Sequence, residues 1–411
     1  MSFSVFQFHP HITAAIKTSG YTSPTPIQQQ AIPPVLAGRD VLGLAQTGTG
    51  KTAAFVLPIL QHCLQHPKKG VQALVIAPTR ELAEQIHEYF ARMAAGTRIR
   101  SAVIYGGVSK SVQARKLREG VEIIVACPGR LLDHLQDRAV DLRHVEMLVL
   151  DEADHMFDKG FLPDIRRIIK QVPQQRQTLV FSATMPREVR HLVEDILHDA
   201  VTVQIDHQVP LDTVSHSIFQ VEQTGKSALL QEILLQPEIR NALVFTRTKH
   251  KARSLAQVLD KAGFKATALQ GNMSQPKRQQ ALEGFKRGTY TIMVATDIAA
   301  RGIDVSGLSH VINFDMPDTF EAYTHRTGRT GRATCVGDAL TFATGDDTQL
   351  VRQIQKTLGD AVSIKKIARP ARQPAVAVEA VKKVSPIAPV KGGDTRGKTR
   401  RGRARSFDFG L

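Results

Sequence analysis

With 411 residues, 42% of them hydrophobic and 22% charged, the chain is too long for one typical core and suits two globular domains plus an extension. A formal net charge of +16 points to a polyanionic partner, most simply nucleic acid, or to a basic protein kept soluble by its charge, and composition does not separate the two. Cys63, Cys127 and Cys335 form no CxxC pair, no apolar run approaches the ~20 residues of a bilayer span, and the opening MSFSVFQFHP lacks a basic segment before an apolar core. A zinc site, a disulfide framework, a membrane span and a signal peptide are therefore not expected, and the protein is placed in the cytoplasm. In chain order, apolar runs at 41–44, 73–77, 123–126, 147–150 and 178–181 predict strands. Between them lie helical patterns such as 81–93, where Leu82, Ile86, Tyr89 and Phe90 recur at helical spacing. The second half repeats the style, with strands predicted at 242–245, 292–295, 310–314 and 339–342 and helices at 249–261 and 275–286. Strands alternating with helices imply a parallel sheet covered on both faces.

The expected fold class is α/β, with two tandem domains that each hold a mostly parallel sheet flanked by helices. The expected boundaries are 1–207 and 208–365, with a polar linker containing Pro210 near 206–212. Residues 366–411 form a basic tail of twelve lysines and arginines against three acidic residues, poor in large apolar side chains and expected to be disordered. It reads either as a solubilising tail or, preferably, as an arm that tethers RNA, since Gly/Arg segments suit phosphate contacts and stacking.

Ala45-Gln46-Thr47-Gly48-Thr49-Gly50-Lys51-Thr52 follows a predicted strand and precedes an apolar helix. Gly48 and Gly50 let the backbone curl so that successive N–H groups face an anion at a helix start. Lys51 is placed for the β- and γ-phosphates of a nucleotide and Thr52 for Mg²⁺. The usual pattern opens with glycine, and Ala45 departs from it. The run 147–150 ends in Asp151-Glu152-Ala153-Asp154. Acidic residues at a strand end face the phosphate loop across one sheet edge. There Asp151 suits Mg²⁺, largely through water, and Glu152 suits the orientation and deprotonation of an attacking water. The pair of motifs points to NTP hydrolysis.

With these motifs in this order, the chain resembles the DEAD-box RNA helicases over nearly all of its length to about residue 365. Gly20-Tyr21-Thr22-Ser23-Pro24-Thr25-Pro26-Ile27-Gln28 looks like the adenine-reading Q motif. Pro78-Thr79-Arg80-Glu81-Leu82-Ala83, Gly106-Gly107 and Pro128-Gly129-Arg130 look like RNA-facing motifs, and Ser182-Ala183-Thr184 like the coupling motif. In the second half Val244-Phe245-Thr246-Arg247, Gln275 with Arg278, Ala295-Thr296-Asp297, Arg301-Gly302-Ile303-Asp304 and His325 through Arg332 complete the set. The opening, the VFTRTKH stretch and the tail look most like the bacterial RhlE-like subgroup.

The resemblance implies two RecA-like domains, ATP and Mg²⁺ as cofactors, and RNA as partner, with ribosomal particles and RNA-degradation machinery left open. Gln28 would offer its amide to adenine, with Tyr21 stacking on the base, Thr25 beside it and Asp304 at the ribose. Ala45 through Thr52 would hold the phosphates, and Arg329 and Arg332 would be arginine fingers. Ser182, Thr184, His325 and Arg326 would couple nucleotide to domain interface. Pro78, Thr79, Arg80, Gly107, Gly129, Arg130, Arg278 and Thr296 would hold the RNA backbone. Such contacts position a strand without reading it, and 2′-OH contacts favour RNA over DNA. Cys127 stands where threonine is usual, so that RNA contact is expected to weaken or pass to backbone; Thr327 replaces a branched apolar residue and is expected to repack locally. The rival readings are a DNA translocase and a non-catalytic RNA clamp driven by the tail.

Overall fold

A computed structural model describes residues 2–46, 48–205, 214–300, 308–331 and 337–366. The expected linker with its domain boundary, Thr47, Asp304, Arg332 and all of the tail beyond Lys366 lie outside the described residues.

Seven strands build the first sheet: β1 (Val41–Leu44), β2 (Ala73–Ile76), β3 (Ser101–Ile104), β4 (Ile123–Ala126), β5 (Met147–Asp151), β6 (Gln177–Ser182) and β7 (Val201–Gln204). Seven more build the second: β8 (Val214–Gln220), β9 (Ala242–Phe245), β10 (Ala266–Leu269), β11 (Ile292–Ala295), β12 (His310–Asn313), β13 (Gly337–Ala343) and β14 (Val362–Lys366). Their orders are β3-β4-β2-β5-β6-β1-β7 and β10-β11-β9-β12-β13-β8-β14. Numbered within its own half, each sheet therefore has the same strand order. Every strand pairing is parallel. Parallel neighbours need long crossovers, and helices such as Lys51–Gln65, Arg80–Met93, Lys249–Lys261 and Gln275–Lys286 supply them.

The central strands read as unbroken apolar runs because both of their faces are covered. Ala73 and Val75 pack into one cluster with Val125, Val149 and Phe181. Leu74 and Ile76 pack into another with Ile124, Leu148 and Val180. In the second sheet Val244 and Val294 face one cluster, while Leu243 and Phe245 face the other. The two sheets, each flanked by helices, confirm the expected α/β class.

The strands the sequence left unpredicted are β3, β7, β8, β10 and β14. Four of these are sheet edges and the fifth, β8, lies next to one. Edge strands bury less and tolerate polar residues, so β7 reads Val-Thr-Val-Gln and β14 reads Val-Ser-Ile-Lys-Lys, with no continuous apolar run.

Register places the site. Leu44 at the end of β1 pairs with Ser182, and Asp151 at the end of β5 pairs with Phe181. The loop after β1, the tetrad after β5 and residues 182–184 after β6 thus share one carboxyl edge, where open α/β sheets bind ligands.

Candidate active site and nucleic-acid interface

In the candidate phosphate-binding loop, both glycines take the backbone conformation expected of them. Gly48 and Gly50 have φ of 86° and 94°, left-handed values that side chains rarely adopt. The apolar helix Lys51–Gln65 begins at the loop, so its first N–H groups open toward the same edge. Thr49 Oγ1 donates to the Gln46 carbonyl at 2.8 Å, and the buried Lys51 Nζ donates to the Ala45 carbonyl at 2.5 Å. Lys51 is thereby folded back across the loop it belongs to, and Thr52 follows it in the first turn of the helix.

The Q-motif segment touches this loop directly. Gln28 is 2% exposed; its Oε1 accepts the Thr25 N–H at 2.9 Å and its Nε2 donates to the Gly50 carbonyl at 3.1 Å. One amide hydrogen and one lone pair are left for a base. A Cβ added to Gly50 would meet Gln28 and Thr25, so glycine is required there by both backbone and space. Thr25 Oγ1 is buried without a partner beside it. Tyr21 packs edge-on against Phe3 and Tyr89, with centroids 6.1 and 6.3 Å away.

The tetrad lies almost entirely out of solvent, with Asp151, Glu152 and Asp154 each 4% exposed or less. Burial pushes the Asp151 carboxyl up to about 7; Lys51 pulls it down while Glu152 and Asp154 push it further up. Burial also opposes ionisation of Glu152, but the hydrogen bond and charge of His155, with Lys51 and Arg329, outweigh it and hold that carboxyl below its usual range. Asp154 behaves similarly. Burial is offset by the His155 and Lys51 charges and by hydrogen bonds from Thr184, leaving it lowered. Its Oδ2 accepts from Ala183 N, Thr184 N and Thr184 Oγ1 at 3.2, 2.9 and 2.9 Å. In return Ser182 Oγ accepts the Asp154 N–H at 3.2 Å and donates to the Thr184 carbonyl at 2.7 Å. The predicted coupling residues Ser182 and Thr184 are thus wrapped around a tetrad member that the sequence reading left without a task.

The parts of the chain built around the first and second sheets are its first and second units, and in the second the helix Phe320–Thr327 carries His325 and Arg326, with Arg329 following it. Arg326 uses four of its five N–H donors: Nε and Nη2 donate to Asp297 at 2.6 Å each, and Nη1 to Asn313 Oδ1 and the Asp315 carbonyl at 3.2 and 2.7 Å. Its guanidinium lies 5.0 Å from the Phe245 ring centroid. His325 meets the His155 ring of the first unit edge-on at 5.9 Å. Arg329 is buried and near enough for its charge to act on Glu152.

The residues expected to face RNA form two groups. Pro78 accepts from Lys159 Nζ through its carbonyl, Thr79 caps the helix Arg80–Met93 through Oγ1 to Leu82 N, and Arg80 lies over Gly107, whose φ is 87°. Arg130 donates to the Val108 carbonyl and Gln113 Oε1 at 3.1 and 3.2 Å, which ties it to the Gly106-Gly107 loop, and Gly129 beside it is exposed. Across the units, Arg80 Nη1 donates to Gln275 Oε1 at 3.4 Å and Arg278 Nε to Glu81 Oε1 at 2.8 Å. Thr296 is nearly buried and its carbonyl accepts the first N–H groups after the helix start at Asp297.

Glu81 and Asp297 were quoted within motifs but given no role, and the structure makes each the partner of a buried arginine. The signal available was an acidic residue inside a run of basic and polar ones. The two departures are resolved locally. Cys127 caps the helix Pro128–Gln136 without a side-chain hydrogen bond, and burial pushes its thiol up to about 12. Thr327 turns its hydroxyl back onto the Tyr323 carbonyl at 3.0 Å, so the polar group is satisfied inside the helix.

A sequence model of the DEAD/DEAH box helicase family matches residues 25–192, and one of the helicase conserved C-terminal domain matches residues 225–334. The chain is 42% identical over 356 residues to the ATP-dependent RNA helicase CshA of Listeria monocytogenes, covering 86% of this chain and 68% of that one. It is 43% identical over 357 residues to the ATP-dependent RNA helicase DeaD of Mycobacterium tuberculosis, covering 86% and 63%. Its structure is similar to that of S. cerevisiae Dbp5 bound to RNA and ADP BeF3, with a TM-score of 0.80, 29% identity and coverage of 89% and 95%. Mss116p bound to ssRNA and AMP-PNP is also similar, with a TM-score of 0.80, 28% identity and coverage of 90% and 79%. Matched by both family models and at 42% identity across two thirds of a longer relative, the chain belongs to the DEAD-box family of ATP-dependent RNA helicases.

Proposed function

We propose that this chain hydrolyses ATP in an RNA-stimulated manner to unwind short RNA duplexes and remodel RNA or RNA–protein complexes. The observation that carries the reading is the meeting of Lys51, Asp151 and Glu152 at one sheet edge with Arg329, a residue of the other unit whose charge helps hold Glu152 ionised. A nucleotide fits this edge: Gln28 keeps one amide hydrogen and one lone pair for a base, and the helix Lys51–Gln65 opens its first N–H groups toward phosphates. A divalent cation fits as well, because Asp151 is a buried carboxyl raised by burial and by two neighbouring carboxylates. Thr52 and Asp151 would hold Mg²⁺, Asp151 largely through water, and the ion would neutralise charge developing on the phosphates.

In this reading Tyr21, Thr25 and Gln28 receive adenine, Asp304 the ribose, and Ala45 through Lys51 the phosphates. Glu152 orients the attacking water and takes its proton, while Arg329 and Arg332 complete the site from the second unit. Arginines supplied this way are typically worth ~10³–10⁵ in rate. Pro78, Thr79, Arg80, Gly107, Gly129, Arg130, Arg278 and Thr296 line the RNA path, and Ser182, Thr184, His325 and Arg326 link the two ligands. ATP and RNA each favour the closed arrangement, so each tightens the other's binding. Closure grips one strand in a path that a regular duplex does not follow, and hydrolysis reopens the cleft. The same reading divides the chain into domains at 1–207 and 208–365, makes 366–411 an RNA-tethering arm, places the protein in the cytoplasm and assigns it to the RhlE-like subgroup. Among the described residues no helix is long and apolar enough to cross a membrane.

The test is the ATPase rate with no nucleic acid, with single-stranded DNA and with RNA, for the natural chain and for Glu152→Gln. RNA alone should stimulate, and Glu152→Gln should lose turnover while keeping ATP-dependent RNA binding. Equal stimulation by DNA would favour the translocase reading, and normal turnover by Glu152→Gln would remove Glu152 as the base.

A further inference from the structure

His155 follows the tetrad immediately, in the short helix Ala153–Asp158, one turn beyond Glu152. Its Nδ1 lies 2.9 Å from Glu152 Oε2, and the two side chains are 6% and 5% exposed. An ionised carboxylate only accepts, so the imidazole proton sits on Nδ1. Nε2 is buried without a hydrogen-bond partner. The same ring meets His325 edge-on, at 5.9 Å and 87°. His325 belongs to the helix of the second unit that leads into Arg329. One imidazole therefore touches the water-activating carboxylate on one side and the incoming unit on the other.

The backbone at this point is also unusual. Glu152 has a φ of 54° and a ψ of 54°, a left-handed conformation that costs energy for a residue with a Cβ and turns its side chain off the line of β5. A glutamate has three rotatable side-chain bonds, and without an anchor its carboxylate samples orientations that do not meet a water. The His155 hydrogen bond occupies Oε2 and leaves Oε1 for the water.

We propose that His155 is a positioning residue for ATP hydrolysis: through Nδ1 it fixes the Glu152 carboxylate, and through its contact with His325 it makes that orientation depend on seating of the second unit. The proposal rests on Glu152 being the base. It gives closure a second route to the chemistry, besides delivery of Arg329.

The experiment measures RNA-stimulated ATPase of the full chain carrying His155→Leu, His155→Asn, His325→Ala, His155→Leu with His325→Ala, or Glu152→Gln. His155→Leu should lower kcat by about tenfold to a hundredfold, the scale of a misplaced catalytic group, with KM for ATP and RNA binding in a non-hydrolysable ATP analogue unchanged. His155→Asn, whose amide nitrogen falls near the place of Nδ1, should recover kcat to within about threefold. On His325→Ala the cost of His155→Leu should shrink, as expected of contacting residues in one pathway. If His155→Leu does not fold, His155→Phe, which keeps a ring but lacks Nδ1, takes its place. Full kcat in the variant lacking Nδ1 would overturn the proposal, as would an asparagine variant as slow as leucine, or additive effects with His325→Ala. Glu152→Gln separates the failures: if it turns over normally, the assignment of the base falls, and if it is inactive while His155→Leu is fast, only the positioning role falls.

Discussion

Arg278 Nε donates to Glu81 Oε1 at 2.8 Å, from the helix Gln275–Lys286 of the second unit to the helix Arg80–Met93 of the first, with both side chains buried. Arg278 also donates to the Gln270 carbonyl at 3.1 Å, so its fork spans its own unit and the other. Removing one partner of a buried pair leaves an uncompensated charge, at a cost of about 3–5 kcal/mol. Glu81→Gln should therefore lower the closed population and weaken RNA binding in a non-hydrolysable ATP analogue by at least about tenfold. A pair of fluorophores, one on each unit, reports the closed population, and an unchanged transfer efficiency would contradict the assignment.

The network between Asp154 and Ser182-Ala183-Thr184 predicts a separation of activities. Thr184→Val removes one of three hydrogen bonds to Asp154 Oδ2, a loss on the order of 1 kcal/mol. ATPase should stay within about twofold while strand separation falls by about fivefold, a difference of that same size. Measuring both rates on one preparation checks it, and equal losses would mean that the contact serves hydrolysis rather than coupling.

With Asp151 as the proposed cation ligand, binding of the ion should depend on pH. Its carboxyl is raised to about 7, and a metal takes the ionised form, so affinity should rise with pH and level off above about 8. At pH 6 the binding of Mn²⁺ should be about tenfold weaker than on the plateau. Asp151→Asn should bind weakly at every pH, and a flat profile in the natural chain would exclude a raised Asp151.

His216 should set part of the acid sensitivity of the second unit. Its Nδ1 lies 2.8 Å from the Tyr323 hydroxyl, Nε2 has no partner, and burial lowers its pKa to about 4. Because the unfolded chain binds this proton near 6.5 and the folded chain only near 4, stability is full above about 6.5 and falls as pH drops toward 4. The loss at pH 5 is about 2 kcal/mol. Thermal melts at pH 7 and pH 5 should differ less for His216→Asn than for the natural chain.

A chain ending at Lys366, where β14 closes its sheet, should keep RNA-stimulated ATPase. The tail it lacks carries eleven lysines and arginines against three acidic residues, so RNA affinity should fall and depend less steeply on salt. Loss of nearly all ATPase on this truncation would favour the tail-driven clamp.

The sequence by itself determined which residues stand at the ends of the central strands. Gly48, Gly50 and Lys51 after one apolar run and Asp151-Glu152 after another are local patterns, and parallel sheets write their central strands as continuous apolar stretches. Its reach ended where identity depends on a partner far along the chain. Edge strands such as β7 and β14 carry mixed residues because only part of their surface is buried, so no period announced them. Whether Arg326 faces a ligand or Asp297, whether Glu81 meets solvent or Arg278, and what His155 touches on its second side were decided by tertiary structure alone. The physical reason is that a charged side chain is stabilised by whichever opposite group the fold brings within hydrogen-bonding distance, and those groups lie 29 and 197 residues apart in the two ion pairs. Local propensity carries no information about such pairs.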